Sequence, residues 1–372
     1  KNATSTVYGI HPTSSTHFKI YHNSVNVTDG STFSSALYVA NGSNFDVQNN
    51  ILTNTKSSGG GYAIYTNSTT NISVCDYNDL YNEGSYLGKW GTSNKTDLTA
   101  WQSASSMDAN SVSVDPYFES DTNLHANAIA CNNTATPIAE ITEDIDGEAR
   151  DASTPDMGAD EYYITPLSGI YTVGGTNPDY ATIALAVNDL RIKPIEGHVY
   201  FNIRDGVYNE QVSISRIWGA SDSNTVTFQP ENTDSVTITY EPTSTDNYIV
   251  QFDDADHVTF KNMTFTATGT SYGRVFDFLD NSHYITLDSN VVNGIVTTAT
   301  GLNLAVIHSA SSTENDHITI SNNEINNGSY GMYLYGKSTS DFEEACVISN
   351  NTIHDFHNYG IYIHLFDSLQ LN

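Results

Sequence analysis

"HITISNNEINNGSYGMYLYG", His317 to Gly336, alternates apolar and polar residues in bursts too short for an ordinary sheet. Ile318 and Ile320 precede the pair Asn322-Asn323, Ile325 follows it, and Met332 and Leu334 resume the pattern. Every-second-residue alternation marks strands with one buried face. Asparagine tolerates the left-handed backbone region and bonds locally, so the Asn-Asn pair reads as a sharp corner between two short strands.

Other stretches repeat the device. "HFKIYHNSV" from His17, "NFDVQNNIL" from Asn44 and "NISVCDYNDL" from Asn71 superpose Phe18 on Phe45 and Ile72, Ile20 on Val47 and Val74, and Asn23 on Asn50. A second column aligns His11, Tyr38 and Tyr65. "HVTFKNMTF", "HYITLDSNVV", "HITISNNEI" and "ACVISNNTI" continue the theme, and "GMY" and "GIY" continue the tyrosine column at Tyr333 and Tyr362. Self-similarity at about 20–30 residues means a solenoid. A leucine-rich repeat would need an L-x-x-L-x-L frame, which is absent. Coils of short parallel strands fit, with inward aliphatics stacked about 4.8 Å apart and corner asparagines forming an amide ladder.

Composition narrows the classes. Over 372 residues there are 13 Lys+Arg against 43 Asp+Glu, a net charge of -30, with 38% hydrophobic residues and 24 tyrosines. Such a chain can build a sizeable core, and its charge repels nucleic-acid phosphates and anionic membranes, so neither partner is expected. No stretch approaches the roughly 18 apolar residues of a membrane span. Cys75, Cys131 and Cys346 are too few and scattered for a disulfide framework or zinc site, and read as small buried residues.

The alternating coils with Asn-Asn corners resemble the right-handed parallel β-helix proteins of the pectate-lyase-like superfamily, over most of residues 1–81 and 198–372. The resemblance implies an all-β solenoid and says little about activity. Residues 82–163 lose the coil rhythm. Asp115-Pro116, Asp146-Gly147, Arg150, Asp156, Gly158-Ala159 and Glu161 resemble the tail that folds over the last coil of secreted bacterial β-helix proteins. Residues 164–168 read as a linker. "NPDYATIALAVNDL" then predicts a capping helix with Ile183, Ala184, Val187 and Leu190 on one face and Asp179, near its start, as the candidate N-cap. This stretch and the turn Gly206, Tyr208, Glu210 are similar to the start of pectin methylesterases, at about 169–215.

The expected order is thus the closing coils of one β-helix (1–81), its irregular tail (82–163), a linker (164–168), the strand and helix that open a second (169–197), and its coils (198–372). One short capping α-helix is expected. Joining the end "SLQLN" to the start "KNATSTVYGIH" reads as an intact coil, so the chain is expected to be one period of a longer tandem array, with copies of the same unit as neighbours, covalent or head-to-tail.

Candidate chemistry is sparse. Asp277-Phe278 resembles part of the pectin methylesterase nucleophile motif, but the expected downstream arginine-tryptophan motif is absent. Asp277, Asp280 and Asp288 lie within about one coil of sequence, and Asp253, Asp254 and Asp256 form a second group. Glycoside hydrolases on this fold use such carboxylates in pairs. No catalytic set is predicted. Asp144, Asp146 and Glu148, around a glycine turn, are candidate calcium ligands, though the EF-hand pattern is not met and a solvated acidic tail is the alternative. No other cofactor is expected. Tyr38 and Tyr65, and separately Tyr333 and Tyr362, should face outward in stacked rows, either as a platform for sugar rings or as a sheet-stabilising ladder. Together these point to a secreted, non-enzymatic structural or adhesive protein of the bacterial surface, with carbohydrate or cell surface as partner. An extracellular polysaccharide-active enzyme (lyase, glycoside hydrolase or pectin esterase) is the alternative.

Overall fold

Short strands separated by corners stack in parallel register through most of the chain. The computed structural model describes residues 5–56, 60–232, 235–279, 281–311 and 313–372. Asp280 lies outside them. Two compact units divide the chain at residue 164. Among the described residues no helix is long and apolar enough to cross a membrane.

In the first unit, strand Lys19–Tyr21 pairs with Phe45–Gln48 and that strand with Ile72–Asp76, while Ser24–Val27, Ile51–Asn54 and Asp79–Asn82 form the adjoining face. Tyr8–Ile10, Ser35–Val39, Tyr62–Thr66 and Gly88–Trp90 form the third. Ile20 pairs with Val47 as the repeat predicts. Val47, however, pairs with Cys75 rather than Val74, because a bulge between Ile72 and Val74 inserts one residue. Cys75 turns inward and Val74 is left 40% exposed. Phe18 sits 6.1 Å from Phe45 yet is 44% exposed, whereas Phe45 and Ile72 are buried.

Among its described residues the second unit has three main sheets, of eight, six and six strands, and a two-stranded one that pairs Glu343–Glu344 with Phe366–Asp367. Its interior is built from columns. Phe201, Phe228, Phe260, Leu287, Ile320 and Ile348 succeed one another in register, and the first three rings stack at 4.9 and 4.6 Å. Burying each such side chain contributes about 1.5–3 kcal/mol, and the parallel stack repeats that gain on every coil.

The Asn-Asn corners divide their labour. The first position takes the left-handed conformation (Asn49, Asn322 and Asn350 at φ 61°, 57° and 56°), and His22, Tyr77 and Ser289 occupy it elsewhere. The second position is a buried amide ladder: Asn23 Nδ2 donates to Asn50 Oδ1 at 2.9 Å, and Asn50 Nδ2 to Asn78 Oδ1 at 3.0 Å. This ladder ends on the buried Asp108 carboxylate, which also accepts the Trp101 indole N–H at 2.7 Å.

Trp101 belongs to a helix, Leu98–Ser105, inside the stretch expected to be irregular. Asp97 caps it by accepting from the Ala100 N–H, and Trp101 packs edge-on against Trp90, 5.2 Å away. The expected helix of the second unit is Ile183–Ile192. Thr182, not Asp179, caps it, since Asp179 is held by the backbone N–H and hydroxyl of Thr172. Its buried face is Ile183, Ala186, Val187 and Leu190, with Ala184 exposed. The strand Leu167–Val173 begins inside the expected linker. Glu210 of the predicted turn accepts the Ala184 N–H at 2.9 Å, a structural role at the helix start.

Candidate functional site

On the third sheet of the second unit, strands Val212–Ile214, Val250–Phe252, Phe276–Phe278, Ile307–Ser309, Tyr330–Tyr335 and Tyr359–His364 alternate inward apolar residues with outward ones. Register therefore lines up one outward column: Ser213, Gln251, Asp277, His308, Tyr333 and Tyr362.

Its polar half is a connected network. The Ser213 hydroxyl donates to Gln251 Oε1 at 3.1 Å, and Gln251 Nε2 donates to Asp277 Oδ2 at 3.4 Å. Asp277 Oδ1 takes His308 Nδ1–H at 2.7 Å and Arg274 Nη1–H at 3.2 Å. Although outward on the sheet, Asp277 and His308 are buried, at 4% and 3% exposure. The turns before these strands wall them in: Arg274 Nε donates to the Leu302 carbonyl, and Asn247 Nδ2 to that of Asn303.

The carboxylate fixes the His308 tautomer, with the proton on Nδ1 and the lone pair on Nε2. Burial holds the imidazole pKa below its usual value, the Asp277 bond opposes that, and nearby Arg274 reinforces it. A neutral imidazole oriented by a carboxylate has the form of a general base. Among the described residues the group of three metal-ligating side chains that the structure brings together does not include His308.

The aromatic half continues directly. Tyr333 lies between His308, 5.6 Å away at 12°, and Tyr362, 4.9 Å away at 4°. Tyr330 stacks on Tyr359 at 5.5 Å, and Tyr335 lies 4.5 Å from His364. Two coils thus carry three columns of rings. The first unit has its own row: His11, Tyr38 and Tyr65 succeed one another at 4.7 and 4.6 Å, Tyr8 adds a contact with Tyr38 at 4.5 Å, and the Lys89 ammonium closes the row 4.8 Å above Tyr65.

The remaining sequence candidates are dispersed. Asp288 lies on the eight-stranded sheet, away from Asp277, where its Oδ1 accepts from Ser321 and Asn322. Asp254 occupies a left-handed corner, and Asp256 accepts the His283 N–H at 3.0 Å. Asp144 is consumed by its own turn: Oδ1 accepts the N–H groups of Asp146 and Glu148, and Oδ2 that of Glu161. Those bonds hold its carboxyl below the usual range against the opposing effect of burial, which is the largest single influence. Glu148 is exposed. Gln251, Arg274 and His308 were not singled out from the sequence as partners of Asp277. Only the outward alternation of each strand could have suggested them.

The sequence matches no protein-family model and no curated protein. Among solved structures, the chain is similar to the pectin methylesterase from Aspergillus niger in deglycosylated form, with a TM-score of 0.33, 15% identity, and coverage of 56% of this chain and 88% of that chain. The chain is a parallel β-solenoid.

Proposed function

We propose that the chain is a structural or adhesive protein of the extracellular bacterial surface, in which stacked coils form a stiff scaffold and the tyrosine rows meet carbohydrate or a cell surface through hydroxyls and ring edges. Copies of the same unit are its expected neighbours. The observation that supports this reading is Tyr333, whose half-buried ring stacks between those of His308 and Tyr362 in a ladder that stiffens successive coils. Incubating the pure protein with insoluble cell-wall polysaccharides should deplete it from solution without releasing reducing ends, unsaturated sugars or methanol. Robust turnover of any of these polymers would overturn the reading.

A second reading, an extracellular polysaccharide-active enzyme, is favoured by one arrangement, the His308–Asp277 pair flanked by Arg274. In that case turnover of pectin or alginate would be found, and His308→Gln would abolish it while leaving the fold intact.

A further inference from the structure

The first unit brings three metal-ligating side chains together from segments far apart in sequence. His125, Asp146 and Asp160 each offer one atom, and the three atoms lie within 4.8 Å of one another. Each is positioned by its neighbours. The Asp144 turn presents Asp146 by holding the Asp146 and Glu148 N–H groups, and the Ile145 N–H bonds the Ala159 carbonyl at 2.9 Å, which docks that turn against the Asp160 segment. His125 Nδ1 donates to Asn123 Oδ1, which turns Nε2 toward Asp146 Oδ2, 2.7 Å away. That contact is an ion pair when Nε2 carries a proton, and a cation that displaces the proton would find both atoms already facing it.

Asp160 supplies the independent sign. It is only 7% exposed, and among the described residues no donor reaches its carboxylate within hydrogen-bond distance, the His125 ring being the positive group that faces it. Arg150, the nearest guanidinium, reaches its backbone carbonyl instead and is engaged by Glu161 and three further carbonyls. A largely buried carboxylate that accepts no hydrogen bond is stabilised by a positive charge placed beside it. Its oxygen faces the same small space as His125 and Asp146.

From this geometry we infer that His125, Asp146 and Asp160 form a binding site for a divalent transition ion, with zinc as the best match, that ties the three tail segments together. One imidazole and two carboxylates suit zinc or manganese better than calcium, which takes six to eight oxygens. The half-exposed His125 and Asp146 leave room for water in the remaining coordination positions. The site differs from the Asp144, Asp146 and Glu148 set expected from sequence, since Asp144 is occupied by backbone N–H groups.

The test is calorimetric titration of the full chain, freed of metal with chelator, using zinc chloride, with calcium chloride as comparison and cobalt as a visible-absorption probe. One equivalent of zinc should bind at least tenfold more tightly than calcium, and cobalt should give a ligand-field band. His125→Gln, on the exposed rim, and Asp160→Asn should each weaken zinc binding at least tenfold, while Asp254→Asn leaves it unchanged. His125→Gln disturbs no buried contact, so it reports even if Asp160→Asn fails to fold. Equal affinity for calcium, zinc binding unaltered by His125→Gln, or the absence of any saturable zinc binding would overturn the proposal, the last assigning the 2.7 Å contact to a protonated histidine.

Discussion

Asn323 and Asn351 share one oxygen: Asn351 Oδ1 accepts both the Asn323 backbone N–H at 2.9 Å and its side-chain Nδ2–H at 3.0 Å. Asn323 in turn gives a bond to the Leu287 carbonyl and takes the Asn290 N–H, while its neighbour Asn322 points outward from a left-handed corner. One dipeptide thus performs two unrelated tasks, and substitution separates them.

Asn323→Ala should cost about 2–4 kcal/mol, because it strands a buried N–H and a buried carbonyl with no water to satisfy them. Asn322→Gly should cost only about 1 kcal/mol, since glycine adopts the same positive φ freely and the one bond lost, Nδ2–H to Asp288, is exposed. Urea unfolding of the two variants against the native chain measures both. Equal losses would mean that the corner, not the ladder, holds the coil.

A second buried polar centre organises the tail. Arg150 is 9% exposed, and its guanidinium reaches Glu161 at 3.2 Å and the carbonyls of Gly158 and Ala159 at 3.0 and 2.8 Å. Glu161 also accepts the N–H groups of Asp151 and Asp156. Arg150→Ala should destabilise the first unit by about 3 kcal/mol, because the partly buried Glu161 and the carbonyls of Gly158 and Ala159 lose their partner. Limited proteolysis should then cut selectively within residues 115–164. Arg150→Lys should recover only part of the loss, as an ammonium cannot span the carbonyls with a planar fork.

These two centres show what the sequence made legible. The Asn-Asn pairs could be read because αL tolerance and amide stacking are properties of the residue itself, and the Tyr38–Tyr65 and Tyr333–Tyr362 registers followed from alternation. The displacement of Val74 by Cys75 was not legible, since both are small residues suited to an interior and one inserted residue reverses the faces. The Asp277–His308 pair was hidden because successive coils differ in length, with 26 residues from Gln251 to Asp277 but 31 from Asp277 to His308. His125, Asp146 and Asp160 meet only through the path of an irregular tail, which no periodicity encodes.

Glu343 predicts a loss of stability with rising pH. It is 1% exposed, one oxygen accepts the Asn315 N–H, and the other has no partner among the described residues. Burial, only partly offset by that bond, pushes its carboxyl up to about 8 from 4.5. Below the lower value both folded and unfolded chains hold the proton. Between the two, only the unfolded chain releases it, so stability declines by about 1.4 kcal/mol per pH unit. Glu343→Gln should raise the melting temperature at pH 8 and leave it nearly unchanged at pH 4.5. An equal effect at both values would assign the change to packing.

His22 predicts the opposite dependence in the first unit. It occupies a left-handed corner at φ 49°, the position filled by Asn49 on the next coil. Its Nδ1 faces the Gly158 carbonyl at 3.3 Å, and its Nε2 takes the Asn49 Nδ2–H at 2.9 Å, a pattern that only the neutral ring satisfies. Burial first, and then Arg150, push its pKa down to about 4 from 6.5. The stability held by the neutral ring is complete above 6.5 and is lost as the pH falls toward 4, because the unfolded chain takes up the proton first, at about 1.4 kcal/mol per unit. His22→Asn places at this corner the residue that the fold uses at Asn49, Asn322 and Asn350, and removes the titrating group. Urea unfolding at pH 7 and pH 4.5 should show the variant losing about 2 kcal/mol less than the native chain on acidification. Identical losses would mean that His22 is already protonated in the folded state and that its bond to Asn49 is not made as described.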